Sequence, residues 1–171
     1  KLDEISKQRL LYGNWEYDDS EDKLIEYNAI LNMYENTTIE SGNKYISADI
    51  ARYGKDKTVI IYWNGLRAEK IKVLDTNTIT QAADIIRDLQ RSEGVILGNI
   101  IVDDDGVGGG LRDILRCKPF VNNSKAINNE NYQNLKTQCY YKLAEYINAG
   151  KLYVQTNNTQ IKDNLTKELE Q

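Results

Sequence analysis

The chain has 171 residues with 22 Lys and Arg against 26 Asp and Glu, a length that fits one domain with a single compact core. It contains no histidine, and its two cysteines, Cys117 and Cys139, lack the spacing of metal ligands, which excludes a zinc site and a histidine-based triad within this chain. The net charge of −4 argues against a stand-alone nucleic-acid binder, because affinity for phosphates comes mostly from Lys and Arg.

The composition of the first quarter of the chain predicts a segment that has no hydrophobic core of its own. Residues 4–12 favour a short helix that ends at Gly13, and residues 14–43 are polar and acidic with scattered aromatic side chains. We therefore expect residues 1–43 to be a linker segment that leads into one compact domain at residues 44–171.

Three β-branched runs then predict an antiparallel meander. The first strand is expected from Lys44 to Ile50, and the second from Thr58 to Trp63. Asn64-Gly65 is a typical hairpin turn, and a third strand is expected from Arg67 to Leu74.

Helices and strands alternate in the rest of the chain. Thr78 is predicted to cap a helix with one apolar face that ends near Gly94. The further predicted elements are a strand over Asn99–Asp103, a short helix over residues 111–115, a strand over Pro119–Val121, a helix from Tyr132 to Ala149 with Leu135, Cys139, Leu143 and Ile147 on one face, a strand over Leu152–Val154, and a helix from Thr159 that still runs at Gln171. The last helix suggests a truncated C-terminus.

This order of elements predicts an α/β fold with a mixed sheet and helices on both faces, in which the first and fourth strands are parallel. Asp49 and Asp103 end those two strands, at the edge where ligands collect in such sheets. A carboxylate in an apolar run that is buried on both faces needs a partner or a bound cation, and two adjacent carboxylates repel each other without one. We therefore expect Mg²⁺ or Mn²⁺, with two ions able to support phosphodiester hydrolysis.

Small and charged residues flank both aspartates. Asp103 runs into Asp104, Asp105 and a glycine-rich stretch in which Gly108 and Gly109 would let a DNA backbone approach and offer amides to phosphate oxygens. A solvated acidic turn and a tight strand-to-helix turn are the alternatives. The stretch lacks the Gly-Lys-Ser/Thr ending of a Walker nucleotide loop.

A second charged group lies beside Asp49. Arg52, Lys55 and Lys57 could contact DNA phosphates, or they could form an ordinary solvated hairpin tip.

Four segments together resemble the C-terminal nuclease domain of the large terminase subunit of tailed bacteriophages: LLYGNW, ISADIARYGKDKTVIIYW, IIVDDDGVGGGLRDIL and NYQNLKTQCYYKLAEYINAGKLYV. That family has a ribonuclease H-like fold, is related to Holliday-junction resolvases and cuts concatemeric viral DNA. The resemblance implies that Asp49 and Asp103 ligate metal and that Asp56 supports the site. Asn134 and Lys136 match a family pattern in the long helix, where Lys136 would either reach the scissile phosphate or lie on an exposed helix face. The family's third acid lies in a Ser-Pro-Asp-like segment that this sequence does not contain, so we expect that ligand beyond Gln171.

The resemblance also implies a function and a set of partners. The domain is expected to be a metal-dependent DNA endonuclease that works on double-stranded viral DNA in the cytoplasm of the infected bacterial host. Its partners would be the terminase ATPase domain, the small terminase subunit and the portal protein, with no membrane involved, and these partners would supply the DNA affinity that an acidic module lacks. The alternatives are a resolvase-like nuclease for branched DNA and a non-catalytic docking or DNA-binding module of the packaging motor.

Overall fold

The computed structural model describes residues 23–51, 57–75, 78–103 and 108–170. The helices in these ranges are α1 (Tyr27–Asn32), α2 (Ile79–Glu93), α3 (Gly108–Leu115), α4 (Leu135–Asn148) and α5 (Thr159–Leu169). The strands are β1 (Lys44–Asp49), β2 (Thr58–Asn64), β3 (Arg67–Leu74), β4 (Ile100–Asp103), β5 (Lys118–Phe120) and β6 (Tyr153–Val154).

The strands form one mixed sheet in the order β5-β4-β1-β2-β3-β6. β1, β2 and β3 pair antiparallel, whereas β4 lies parallel to both β1 and β5, and β6 lies parallel to β3. The predicted meander and the predicted parallel pairing of the first and fourth strands are therefore confirmed. Gly65 in the β2–β3 turn has a φ of +65°, and a Cβ there would lie 2.9 Å from the backbone nitrogen of Gly42, so this turn requires glycine.

One face of the sheet, which we call the closed face, packs against α2 and α3. Alternate residues of the strands, such as Ile46, Ile60 and Val102, point into this core and are almost completely buried. Helix α2 presents Ala82 and Ile86 to the same core. Its ends follow the prediction: Thr78 forms a capping box with Gln81, and Gly94 ends the helix in the left-handed conformation.

The other face, which we call the open face, is covered by α1, α4 and α5, so helices lie on both faces as predicted. Helix α1 and its flanks contribute Ile25, Ile30 and Met33 to the second core. The Asn148 side chain at the end of α4 accepts a hydrogen bond from the Glu26 amide (3.0 Å) and donates one to a backbone carbonyl (3.1 Å). Part of the segment predicted as a linker thus packs into the core, and the domain boundary at residue 43 stays a prediction.

Several element bounds differ from the predictions. α3 starts at Gly108 and not near residue 111, and α4 starts at Leu135 because the Asn134 side chain caps it. α5 ends at Leu169, so it does not run to Gln171 as predicted. The predicted alignment in α4 is only partly buried: Ile147 lies in the core, but Cys139 is exposed and lines a groove beside the sheet.

Candidate metal centre

A groove with a volume of about 550 Å³ lies on the open face at the carboxyl ends of β1 and β4. Its floor consists of strand residues that include Ser47, Ile61 and Ile101, and one side of α4 forms a wall. Two carboxylates, Asp49 and Asp103, line the groove together.

The strand register explains why the two aspartates meet. Ser47 pairs with Ile101 and Ala48 pairs with Val102, so the next residues, Asp49 and Asp103, occupy matching positions on neighbouring parallel strands. Adjacent strands are about 4.8 Å apart, and residues two apart along a strand share a face. The sequence prediction that these side chains lie side by side is met by the structure.

The burial of the pair differs from the prediction. The sequence predicted carboxylates at the ends of strands that are buried on both faces, whereas Asp49 is exposed and Asp103 is half-buried. The strand alternation turns both side chains away from the closed core, so they face a groove that water can enter. The carboxylates therefore need no buried counter-charge, and a cation could reach them from solvent.

The donor set fits a divalent cation, because carboxylate oxygens are the ligands that Mg²⁺ and Mn²⁺ prefer. Asn122, in the loop after β5, also lines the groove and carries an amide oxygen. Within the described ranges, no group of three or more His, Cys, Asp or Glu side chains could hold a metal. Asp56, Asp104 and Asp105 lie outside the described residues.

The wall of the groove, which we call the α4 wall, consists of Lys136, Cys139, Tyr140 and Leu143. Their spacing of three, four and seven residues places them on one side of the helix. The Lys136 ammonium lies 5.9 Å from the centroid of the Tyr140 ring. Cys139 is exposed as a residue, but partial desolvation of its thiol raises the pKa of that group, so the thiol is protonated at neutral pH.

Lys136 is thus brought into the same groove as the two aspartates, while the other predicted site residues that the structure describes are not. Lys57 does not line the groove, and its ammonium pairs with Asp75 at 2.9 Å on the exposed surface. Gly108 and Gly109 form the first turn of α3, so they are helical and not an open loop. Arg52 and Lys55 lie outside the described residues.

Sequence reasoning missed Asn122 and Tyr140 as groove residues. Tyr140 could have been found, because it follows Lys136 by four residues on a predicted helix and therefore shares its face. Asn122 carries no such signal, since its place depends on how the loop between β5 and α4 folds back over the strand ends.

The fold and the site together define a class of protein. A three-strand meander, a crossover helix and two further parallel strands in the order β5-β4-β1-β2-β3, with acidic residues at the ends of β1 and β4, form a ribonuclease H-like sheet. The predicted fold class is confirmed.

Solved structures similar to this chain include nuclease domains of phage large terminase subunits, in agreement with the sequence resemblance. The nuclease domain of the large terminase subunit gp2 of bacterial virus Sf6 superposes with a TM-score of 0.74 at 18% identity, over 86% of this chain and 81% of that chain. The large terminase nuclease from thermophilic phage G20c gives a TM-score of 0.58 at 16% identity, over 86% and 80% of the two chains. The Thermus phage P74-26 domain gives 0.51 at 15% identity, over 84% and 76%.

Some of these neighbours were solved with metal. Variants of the Sf6 domain contain manganese or calcium, and the G20c nuclease has been solved with bound zinc. No family model matches this chain, and no curated protein matches it. No helix among the described residues is long and apolar enough to cross a membrane.

Proposed function

We propose that this chain is a metal-dependent DNA endonuclease domain of a viral genome-packaging terminase, which cuts concatemeric double-stranded DNA by two-metal phosphodiester hydrolysis. The observation that carries the proposal is the placement of Asp49 and Asp103 at matching positions on β1 and β4, in one groove of a sheet shared with terminase nuclease domains.

Each part of the groove has a role in this proposal. Asp49 and Asp103 hold Mg²⁺ or Mn²⁺ through their carboxylate oxygens. When bound, the two ions offset the repulsion between the carboxylates, supply an activated water and stabilise the leaving oxygen. The paired strands β1 and β4 place the two carboxylates at neighbouring positions, and Ile61 and Ile101 line the apolar floor beside them.

The proposed setting follows from the terminase neighbours. The substrate is double-stranded viral DNA in the cytoplasm of an infected bacterium. The ATPase domain, the small terminase subunit and the portal protein are the proposed partners, and they compensate for the net charge of −4, which by itself disfavours binding to DNA.

The test is nicking of supercoiled plasmid with Mn²⁺, combined with calorimetric titration of Mn²⁺ and Mg²⁺. Asp49→Asn and Asp103→Asn should each lose saturable metal binding and at least 100-fold in nicking rate, because each removes a charged ligand while keeping the side-chain volume. Asp84→Asn is the matched control, since Asp84 is exposed on α2 and, among the described residues, pairs only with the neighbouring Arg87 at 3.2 Å.

The outcomes separate the proposal from its rivals. If the parent nicks plasmid and the Asp49 and Asp103 variants nick equally well, the site assignment is wrong. Faster cleavage of four-way junctions than of linear duplex would favour a resolvase-like nuclease. A parent that binds neither ion but retains its packaging partners would be a docking module.

A further inference from the structure

We infer that the side-chain amide oxygen of Asn122 is a further protein ligand of the divalent cation that binds at Asp103. This inference rests on the proposed function, because it takes the two carboxylates of the groove to be metal ligands. It adds a neutral oxygen to two charged ones, and it gives the third parallel strand, β5, a part in the site that the sequence did not predict.

The carboxyl ends of three adjacent parallel strands meet at the groove. Asp49 ends β1 and Asp103 ends β4, while Phe120 ends β5 as the register partner of Asp103. Asn122 follows Phe120 by two residues, and both line the groove. Each of the three strands, or the loop that directly follows it, therefore brings a residue with a side-chain oxygen to the same edge of the sheet.

The strand spacing places Asn122 close enough to Asp103 for both to contact one ion. Neighbouring strands lie about 4.8 Å apart, and two residues advance the chain by at most about 6.6 Å. Because Phe120 is paired with Asp103, the Cα atoms of Asn122 and Asp103 are then separated by at most about 8 Å. Two short side chains, each with a metal–oxygen bond of about 2.1 Å, can span such a separation.

Hydrogen bonds fix the loop that carries Asn122 against the start of α4. The Asn122 carbonyl accepts from the Lys136 amide at 3.2 Å, and the Ser124 carbonyl accepts from the Leu135 amide at 2.7 Å. The Ser124 amide donates to the Val121 carbonyl at 3.1 Å, which closes the turn. Since its main-chain carbonyl is engaged with α4, the oxygen that Asn122 offers to the groove is that of its side chain. A backbone held in this way presents a ligand in one place.

The chemistry of the donor set suits a neutral ligand at this position. Asp49 and Asp103 already supply two negative charges, and a third carboxylate would add repulsion whenever the ion is absent. Mg²⁺ and Mn²⁺ also accept amide and carbonyl oxygens. Ser47 is another oxygen donor in the groove, but its hydroxyl accepts from the Trp63 indole at 2.9 Å. Asn122 is half-buried, so an ion that it contacts is partly shielded from water.

The experiment measures Mn²⁺ affinity by electron paramagnetic resonance, which reports free Mn²⁺ from its aqueous signal, in buffer without DNA. Asn122→Ala should weaken Mn²⁺ binding by about tenfold, because an oxygen ligand is lost. Asn122→Asp should instead tighten binding by about tenfold, because it keeps an oxygen in place and adds a charge beside the ion. The melting temperature of each variant without metal separates a loss of affinity from a loss of folding.

Asn123→Ala and Asn123→Asp are the matched controls. Asn123 is the next residue of the same turn, but it is exposed and does not line the groove. Its side-chain oxygen accepts from the Asn134 amide at 3.3 Å, and Asn123→Asp keeps this acceptor while it adds the same charge as Asn122→Asp. Both controls should change Mn²⁺ affinity by less than about twofold, because a charge exposed to solvent acts only weakly on the ion.

The results distinguish this inference from the proposed function. If both Asn122 variants bind Mn²⁺ with the affinity of the parent, the inference is wrong. If Asn122→Asp weakens binding as Asn122→Ala does, the amide nitrogen positions a carboxylate and the oxygen is not a ligand, which also overturns the inference. A parent whose variants shift in opposite directions but which does not nick plasmid would contradict the nuclease proposal alone. A parent that binds no Mn²⁺ would contradict both.

Discussion

The closed and open faces of the sheet use the same strands for different purposes. On β1, Ile46 and Ala48 are buried in the closed core, while Ser47 and Asp49 line the groove on the open face. The closed face is covered along its length by α2 and α3, whereas α4 leaves the strand ends on the open face accessible. A strand of six residues thus contributes buried side chains on one side and the proposed metal ligand on the other, so we expect substitutions on the two sides to have different effects.

The sharpest test of this comparison uses two neighbours on β2 that point in opposite directions. Ile60 is completely buried in the closed core, and Ile61 is partly buried in the floor of the groove. Ile60→Ala should lower the free energy of unfolding by about 3–4 kcal/mol because it leaves a cavity, and Ile61→Ala by only about 1 kcal/mol. Urea denaturation measures both, and equal losses would show that the two faces are equally packed.

The second largest expected effect is a loss of stability and of nicking rate when the loop that places Asn122 in the groove loses its anchor. Gln138 is 5% exposed; its Oε1 accepts from the Ile127 amide at 2.7 Å and its Nε2 donates to the Ile127 carbonyl at 3.1 Å. Gln138→Ala should cost about 1–3 kcal/mol of stability and slow nicking, because the loop loses its anchor on the open face.

Gln160→Ala is the control for this loop prediction. The Gln160 side chain is exposed on α5, and its one hydrogen bond to a described residue goes to the neighbouring Asn164 side chain at 2.9 Å. Thermal denaturation should therefore show a lower melting temperature for Gln138→Ala than for Gln160→Ala. Unchanged stability and nicking in Gln138→Ala would mean that the loop needs no anchor.

Removing the helix caps should have a smaller effect on stability, and it also distinguishes the two faces. Thr78 caps α2 on the closed side and Asn134 caps α4 beside the groove. Replacing either with alanine should cost about 1 kcal/mol, because one amide loses its acceptor. Asn134→Ala should in addition raise KM for DNA, since the first turn of α4 holds Lys136, and Thr78→Ala should not. Parallel melts and plasmid nicking assays would test this, and an equal rise in KM for both would refute it.

The smallest expected effect is on the reactivity of Cys139. Its raised pKa means that the thiolate becomes abundant only above the ordinary cysteine range, so alkylation should be slow at neutral pH and should accelerate as the pH rises. DNA bound in the groove should slow the reaction further. Mass spectrometry of the labelled protein, with Cys139→Ser to reveal any labelling of Cys117, would measure the rate, and fast labelling at neutral pH would show that the thiol is not desolvated.

Much of the fold was predictable because local signals and the global topology agree. The Asn64-Gly65 turn, the Thr78 cap and the Gly94 end each act within a few residues, and all three appear where they were predicted. The pairing of Asp49 with Asp103 was predictable for a different reason: both end apolar strands, and parallel strands bring their carboxyl ends to one edge.

The remaining features depend on contacts between distant segments. The burial of α1 was missed because a six-residue helix in a polar stretch has little periodicity to detect, and its stability comes from packing against α4 and β6. Lys57 was grouped with the cations beside Asp49, but the approach of Asp75 from the end of β3 gives it an ion pair away from the groove.

The sequence by itself determined the order of the elements, the alternation along each strand and the identity of the two acidic strand ends. Only the tertiary structure decided which side of α4 faces the sheet, and with it that Lys136 and Tyr140 line the same groove as Asp49 and Asp103. The physical reason is that strand alternation and helix caps are set by neighbours in the chain, whereas the rotation of a helix over a sheet is set by the side chains that it buries.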